Sequence, residues 1–281
     1  MDVAASRTAL VAAVARGALR LDEPWPWVLD DSLALVLVGA AWRDLYDRLR
    51  DDLTPPVLRQ ASGFVGVRSR YAEDRLAQGE FDQYVLLGAG LDSLAWRRPD
   101  LLGSVKIFEV DHPASQAWKR ERIEDLSLPN SDAHIFVPVD FERQSFRDGL
   151  DASGFDWRRP TLFAWLGVMP YLSADAIEAT LRIIASAGLG SEVILDYRCE
   201  DSVLDDIGRR FIDKFTSMAE ESGEPVQPGC PATEIEQLLV RCGLKVRDHP
   251  TRQDLIDRYF AGHPDGLMPY TAQALVAASV A

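Results

Sequence analysis

Cysteine, histidine, basic charge and long apolar runs are all scarce in this chain, and each scarcity removes a class of function. The three cysteines, Cys199, Cys230 and Cys242, are too few and too irregularly spaced for a disulfide framework or a zinc site. The four histidines, His112, His134, His249 and His263, show no metal-ligand spacing, so no metal is expected. Lys and Arg total 30 against 44 Asp and Glu, a net charge of −14. Nucleic-acid backbones are bound by clustered Lys and Arg, so no nucleic-acid partner is expected. The apolar run 33–42 is shorter than the ~20 residues that span a bilayer, and no membrane association is expected. Residues 1–7 lack the basic-then-apolar order of a secretory leader, and Arg16 and Arg20 interrupt the apolar stretch that follows. A cytoplasmic location is the resulting expectation. Nothing in the composition speaks to the oligomeric state.

What is present is a change of pattern near residue 80. Residues 1–80 are rich in Ala, Leu and Arg and read as helical, with breaks at Pro24, Pro26, Pro55 and Pro56. Beyond them, short apolar runs alternate with helical periods. The runs are 84–87 entering Gly88, 105–110 ending at Asp111, 134–139 ending at Asp140, 161–166, and 192–196. Near-continuous apolar strands are expected where helices cover both faces of a sheet. Between the fourth and fifth runs, Ser173 is placed to cap a helix that buries Ile177, Leu181 and Ile184 and ends at Gly188. Residues 199–229 form a charged, helical interruption. A helix over 234–242 and strands over 244–246 and 275–280 follow. This alternation predicts an α/β fold, a doubly wound, mostly parallel sheet with a late helical insertion. The insertion reads equally as part of a lid or as a solvated surface helix pair.

The first strand enters Gly88-Ala-Gly90-Leu-Asp92-Ser93. Glycines at a strand-to-helix turn allow a tight bend and the close approach of a ligand. Asp111 follows Gly90 by 21 residues (111 − 90), near the ~20-residue offset of an acid that hydrogen-bonds ribose hydroxyls. A dinucleotide fingerprint would carry a third glycine where Ser93 stands, and a pyrophosphate would be repelled by Asp92. S-adenosylmethionine has no phosphate and carries an ammonium and a sulfonium, so an acid there suits it. Asp140 ends the third strand in the carboxyl-end crevice, where it can accept the adenine amino group, with Phe141 against the ring. Asp92 reads equally as a helix cap, Asp111 also as a cap before Pro113, and Phe141 also as core.

Several segments taken together resemble the leucine carboxyl methyltransferase-like family, in particular its actinobacterial branch of small-molecule enzymes. They are 6–10, 30–34, 68–74, 83–97, 108–113 with Lys119, 137–140, 165–172 and 223–225. The resemblance implies a class I Rossmann-like methyltransferase domain over 81–281, carrying an insertion at 199–229, and an N-terminal helical cap over 1–80. It places the family's arginine for the cofactor carboxylate on Arg68, with Arg70 the nearby alternative. The turn glycine falls on Gly88, beside Gly90, the ribose acid on Asp111 and the adenine contact on Asp140. One position departs from the pattern. Leu166 stands before Gly167 where the family often has Glu, so the acid for the cofactor's amino group is missing there. A backbone carbonyl or Asp92 is left to substitute. The departure also argues against a protein C-terminal leucine as acceptor.

The resulting expectation is an S-adenosylmethionine-dependent O-methyltransferase that releases S-adenosylhomocysteine. Its substrate would be a small molecule of secondary metabolism, with a carboxylate or a phenol or alcohol as acceptor. No residue is compelled as general base. His112 reads as a cap before it reads as a base, and Tyr171, Tyr197 and Arg198 are candidates to face substrate. The strand, turn and acid layout by itself also admits a nicotinamide-dependent oxidoreductase, and the Leu166 departure admits a non-catalytic cofactor-binding protein.

Overall fold

The computed structural model of the chain describes residues 6–141, 144–221, 226–263 and 267–281. Helices α1 (Arg7–Asp22), α2 (Ala34–Val38), α3 (Trp42–Asp52) and α4 (Pro55–Gln78) precede the first strand. Ser6 caps α1 by accepting the Ala9 N–H, and Pro24 and Pro26 lie just past its end. Helix α3 ends at Asp52 and Pro55 opens α4, so the break expected at Pro55 and Pro56 falls between the two helices. A proline costs nothing in a first turn, where its missing N–H would have no intrahelical partner.

From residue 83 onward strands and helices alternate. They are β1 (Gln83–Leu87), α5 (Leu94–Arg97), β2 (Lys106–Asp111), α6 (Pro113–Asp125), β3 (His134–Pro138), α7 (Phe146–Ala152), β4 (Thr161–Trp165) and α8 (Ala174–Ile184). There follow β5 (Glu192–Arg198), α9 (Asp206–Glu221), α10 (Ala232–Arg241), β6 (Leu244–Asp248), α11 (Arg252–Tyr259) and β7 (Gln273–Val280). Ser173 caps α8 as expected, but the helix stops at Ile184 rather than running to Gly188. The helix α9 fills much of the interruption read at 199–229; residues 223–225, one of the segments that carry the family resemblance, lie outside the described residues.

The strands form one sheet in the order β3-β2-β1-β4-β5-β7-β6. The first five are parallel, and β7 runs antiparallel to both its neighbours. The mostly parallel, doubly wound sheet is therefore as predicted. Both faces are buried: Tyr84 and Leu86 point into one core, and Val85 and Leu87 into the other. Successive strand residues point to opposite faces, so each strand must be apolar throughout. Strand order reverses between β1 and β4, and their carboxyl ends open the crevice typical of such sheets.

The N-terminal helices are fastened to that crevice by buried charge. Asp31, 1% exposed, accepts from Arg16 Nε at 3.0 Å, from Ser93 Oγ at 2.7 Å and from the Ala34 N–H at 2.9 Å. Arg97 Nε lies 3.3 Å from the same carboxylate, and Arg97 also pairs with buried Glu73 at 2.5 Å. Arg16 Nη2 donates to the Leu91 carbonyl at 2.6 Å. Burial alone would raise the Asp31 pKa, but Arg16 and Arg97 outweigh it and hold the group below the usual carboxylate range. The folded value thus lies below the unfolded one, so its contribution is present above the unfolded value of ~3.9 and is lost as pH falls through the folded value.

Replacing Asp31 with Asn leaves the buried Arg16 guanidinium without its carboxylate partner and Arg97 with Glu73 alone. We expect urea denaturation at neutral pH to show a loss of about 3–5 kcal/mol, with a shallower acid limb of the stability curve. A loss below about 1 kcal/mol would show that the cluster does not hold the helices in place.

Candidate active site

A cavity of about 710 Å³ lies at the carboxyl ends of β1, β2, β3 and β4, beneath the N-terminal helices and α9. This is within the ~300–1,000 Å³ range of small-molecule sites. Its polar wall is built by the turns that leave the strands. Gly88 and Gly90 have φ of +73° and +49°, a conformation that favours glycine. A Cβ on Gly88 would sit 2.3 Å from Val168 Cγ2, so the close approach of the β4 loop also requires glycine there. Ala9 of α1 covers Gly90. Asp92 Oδ1 accepts the Leu94 N–H at 2.8 Å, so the carboxylate that faces the cavity also starts α5.

Asp111 ends β2. Its two oxygens accept the N–H groups of Gly90 at 2.5 Å and His112 at 2.6 Å. Burial raises its pKa, against the pull of these two donors. The acid at the 21-residue offset thus ties the second strand to the glycine turn while lining the cavity. Asp140 and Phe141 line the same wall from the end of β3, with Phe141 packed near Phe146. His112 lines it too, but its Nδ1 accepts the Ala114 N–H at 3.2 Å and caps α6. Leu166, Gly167 and Tyr171 enter from the segment after β4.

Arg68 reaches the cavity from α4. Its Nη1 pairs at 2.8 Å with Asp196 Oδ2, and Asp196 Oδ1 accepts the Gly167 N–H at 2.5 Å. Asp196 is fully buried and stands behind the position where the family's acid is replaced by Leu166. The strand reading ends the fifth run at this acid, as it ends the second and third at Asp111 and Asp140, yet it passes over Asp196 for the two residues that follow. The structure does not bring those two, Tyr197 and Arg198, to the cavity. Tyr197, on the opposite face of β5, donates or accepts with His249 Nε2 at 2.9 Å and belongs to the far core. Arg198 is turned away by Asp201 at 3.0 Å and the Gln227 carbonyl at 3.0 Å. Neither lines the cavity. Arg70 is likewise no alternative to Arg68: two residues on, about 200° around the helix, it pairs with Asp74.

The remaining wall is apolar. Leu49, Leu53 and Leu58 face it from α3 and α4, and Phe211, Phe215 and Met218 face it from α9. The sequence reading singled out none of these six. Their signal is helical spacing: Phe211, Phe215 and Met218 recur at i, i+4 and i+7 on a segment otherwise rich in charge.

Comparison with known proteins places these features in a family context. The profile described as Leucine carboxyl methyltransferase matches residues 9–185. YktD of Bacillus subtilis (strain 168), provisionally named an S-adenosyl-L-methionine-dependent methyltransferase, is 33% identical over 189 residues. That alignment covers 67% of this chain and 62% of YktD. A similarly named protein of Mycolicibacterium smegmatis is 34% identical over 212 residues, covering 69% of this chain and 68% of the relative. A third, from Mycobacterium sp. (strain KMS), is covered over only 54% of its length, so the chain spans from about half to two thirds of these curated relatives. Among solved structures, a DUF574 family protein from Streptomyces avermitilis has a TM-score of 0.64 at 13% identity, covering 99% of this chain and 98% of that one. A provisionally assigned methyltransferase from Thermobifida fusca has a TM-score of 0.58 at 14% identity, covering 99% and 96%. At these identities the likeness concerns the fold alone.

The Arg68–Asp196 pair depends on the absence of a side chain at position 167. Gly167 has φ +73°, and a Cβ there would lie 2.6 Å from Arg68 Nη2. Gly167→Ala is expected to push the guanidinium off Asp196 and cost about 2 kcal/mol or more in urea denaturation. An unchanged midpoint would refute this account of the pair.

Proposed function

The chain belongs to the leucine carboxyl methyltransferase family, and on that basis we propose that it is an S-adenosylmethionine-dependent methyltransferase acting on a carboxylate of a small metabolite. The observation that carries this reading is the convergence of the Gly88–Asp92 turn, Arg68, Asp111 and Asp140 on one cavity. The donor set suits this cofactor. Asp111 has acceptor capacity left for ribose hydroxyls after Gly90 and His112, since a carboxylate offers about four lone-pair sites. Asp140 and Phe141 serve the adenine edge and face. Gly88 and Gly90 let the backbone approach without a Cβ in the way. Arg68, oriented by Asp196, offers its outer N–H groups to the amino-acid carboxylate. Leu166 offers a backbone carbonyl and Asp92 a carboxylate to the ammonium. The same Asp92 disfavours the pyrophosphate of a nicotinamide dinucleotide.

Bound there, S-adenosylmethionine supplies an electrophilic sulfonium methyl group. The chain positions the acceptor in line with it and keeps water out beneath the helices. Among the described residues, the imidazole at the polar wall is that of His112. His112 commits Nδ1 as the acceptor of its helix cap, so that nitrogen does not serve as a general base while the cap stands. A carboxylate is ionised at neutral pH and needs no base, whereas an alcohol would benefit from one. A methyl ester is therefore the product this site supports best.

Calorimetry with S-adenosylhomocysteine tests the cofactor reading. Arg68→Ala and Asp111→Ala should each weaken binding roughly tenfold or more. Unchanged affinity in both, or co-purification of a nicotinamide dinucleotide, would overturn it. Because burial raises the Asp111 pKa and its ionised form is the acceptor, affinity should begin to fall on acidification above the ordinary aspartate range, and Asp111→Asn should flatten that dependence. Mass-detected methyl transfer over a panel of carboxylic acids and phenols tests the acceptor. Turnover of phenols alone would overturn the carboxylate assignment.

A further inference from the structure

The cavity has two chemically distinct halves, and the cofactor reading uses only one. The half away from the strand ends is roofed by α9. Phe211, Lys214, Phe215, Met218 and Ala219 recur on one face of that helix, and all five line the cavity. Phe211 and Phe215 stack, with ring centroids 5.5 Å apart and planes 16° apart. Tyr171 lies beside Phe215 at 5.9 Å, and Tyr270 meets Phe211 edge-on at 4.5 Å. The rings form a continuous series along the cavity rather than isolated core contacts. The charged member of the face is committed elsewhere: Lys214 Nζ pairs with Asp52 of α3 at 2.8 Å, which ties the roof to the N-terminal helices. Leu49, Leu53 and Leu58 line the cavity as well, in the apolar cluster against which Phe211 packs.

Such a compartment discriminates by shape and polarisability. Ring faces and edges favour offset-stacked or edge-on partners, and a Met sulfur adds contacts at a ring edge. A flexible aliphatic guest gains area burial here but loses chain entropy and finds no quadrupole partner. A second charge on the guest would find the roof's ammonium already taken. Resting on the methyl-transfer reading above, we propose that the acceptor is a molecule with a planar aromatic body, and that Phe211, Phe215 and Met218 of α9, with Tyr171, determine this specificity. The aromatic body would stack on the roof while its carboxylate points toward the sulfonium of the bound cofactor.

The test uses the full chain saturated with S-adenosylhomocysteine. Dissociation constants are measured by calorimetry for 1-naphthoate and for an aliphatic carboxylate of matched size. We expect the aromatic acid to bind roughly tenfold or more tightly than its aliphatic match. Phe215→Leu and Phe211→Leu keep apolar volume but remove the ring. They should bring that ratio to within about threefold while S-adenosylhomocysteine affinity changes by less than about twofold. If the aliphatic acid binds as tightly as the aromatic one, or the ratio survives both substitutions, the aromatic specificity is overturned while the cofactor reading stands. If the unmodified chain fails to bind S-adenosylhomocysteine, the cofactor reading falls and this inference falls with it.

Discussion

The buried carboxylate of Asp31 ties the N-terminal helices to the glycine turn that lines the cavity. That carboxylate gathers Arg16 from α1, the first N–H groups of α2, and Ser93 and Arg97 from the far side of the glycine turn. Two arginines and two acids, Asp31 and Glu73, thereby share one dry region. A buried charge cluster of this kind adds little to stability when complete and costs several kcal/mol when one member is lost. Its value is positional. Arg16 also holds the Leu91 carbonyl, so the N-terminal helices are registered against the turn itself. The N-terminal helices and the glycine turn are thus joined by direct buried contacts.

A second buried acid performs the same kind of work on the other side of the cavity. Asp196 receives Arg68 and the Gly167 N–H, and so fixes a guanidinium that faces the cavity while its own carboxylate stays out of reach of solvent. The third, Asp111, binds the backbone of two turns and still faces the cavity. The strand acids therefore differ in exposure: Asp196 on β5 is buried behind Arg68, whereas Asp111 at the end of β2 faces the cavity. The parallel register makes this possible, because it brings the carboxyl ends of successive strands to one edge of the sheet.

The sheet, the glycine turn and the strand-end acids were legible in the sequence because each leaves a short-range mark. Buried parallel strands are continuous apolar runs, a tight turn needs glycine, and an acid at a fixed offset follows from the length of one strand-turn-helix-strand unit. What escaped depended on direction. Tyr197 and Arg198 lie one and two residues past Asp196, close enough to be candidates, yet the alternation of β5 sends Tyr197 to the opposite core and the pair with Asp201 draws Arg198 aside. Arg70 fails for the analogous helical reason.

By itself the sequence determined the fold class, the place of the ligand-facing turn and the acids around it, all of which arise from periodicity and local backbone geometry. It also carried enough of a family's pattern to show that Leu166 stands where an acid is usual. Only the tertiary structure decided that Asp196 supplies a carboxylate behind that position, that Arg68 already has a partner, and that the α9 aromatics close the other half of the cavity. The physical reason is distance along the chain. Arg68 and Asp196 are separated by 128 positions, and their 2.8 Å contact exists only once the sheet has brought α4 and the end of β5 together.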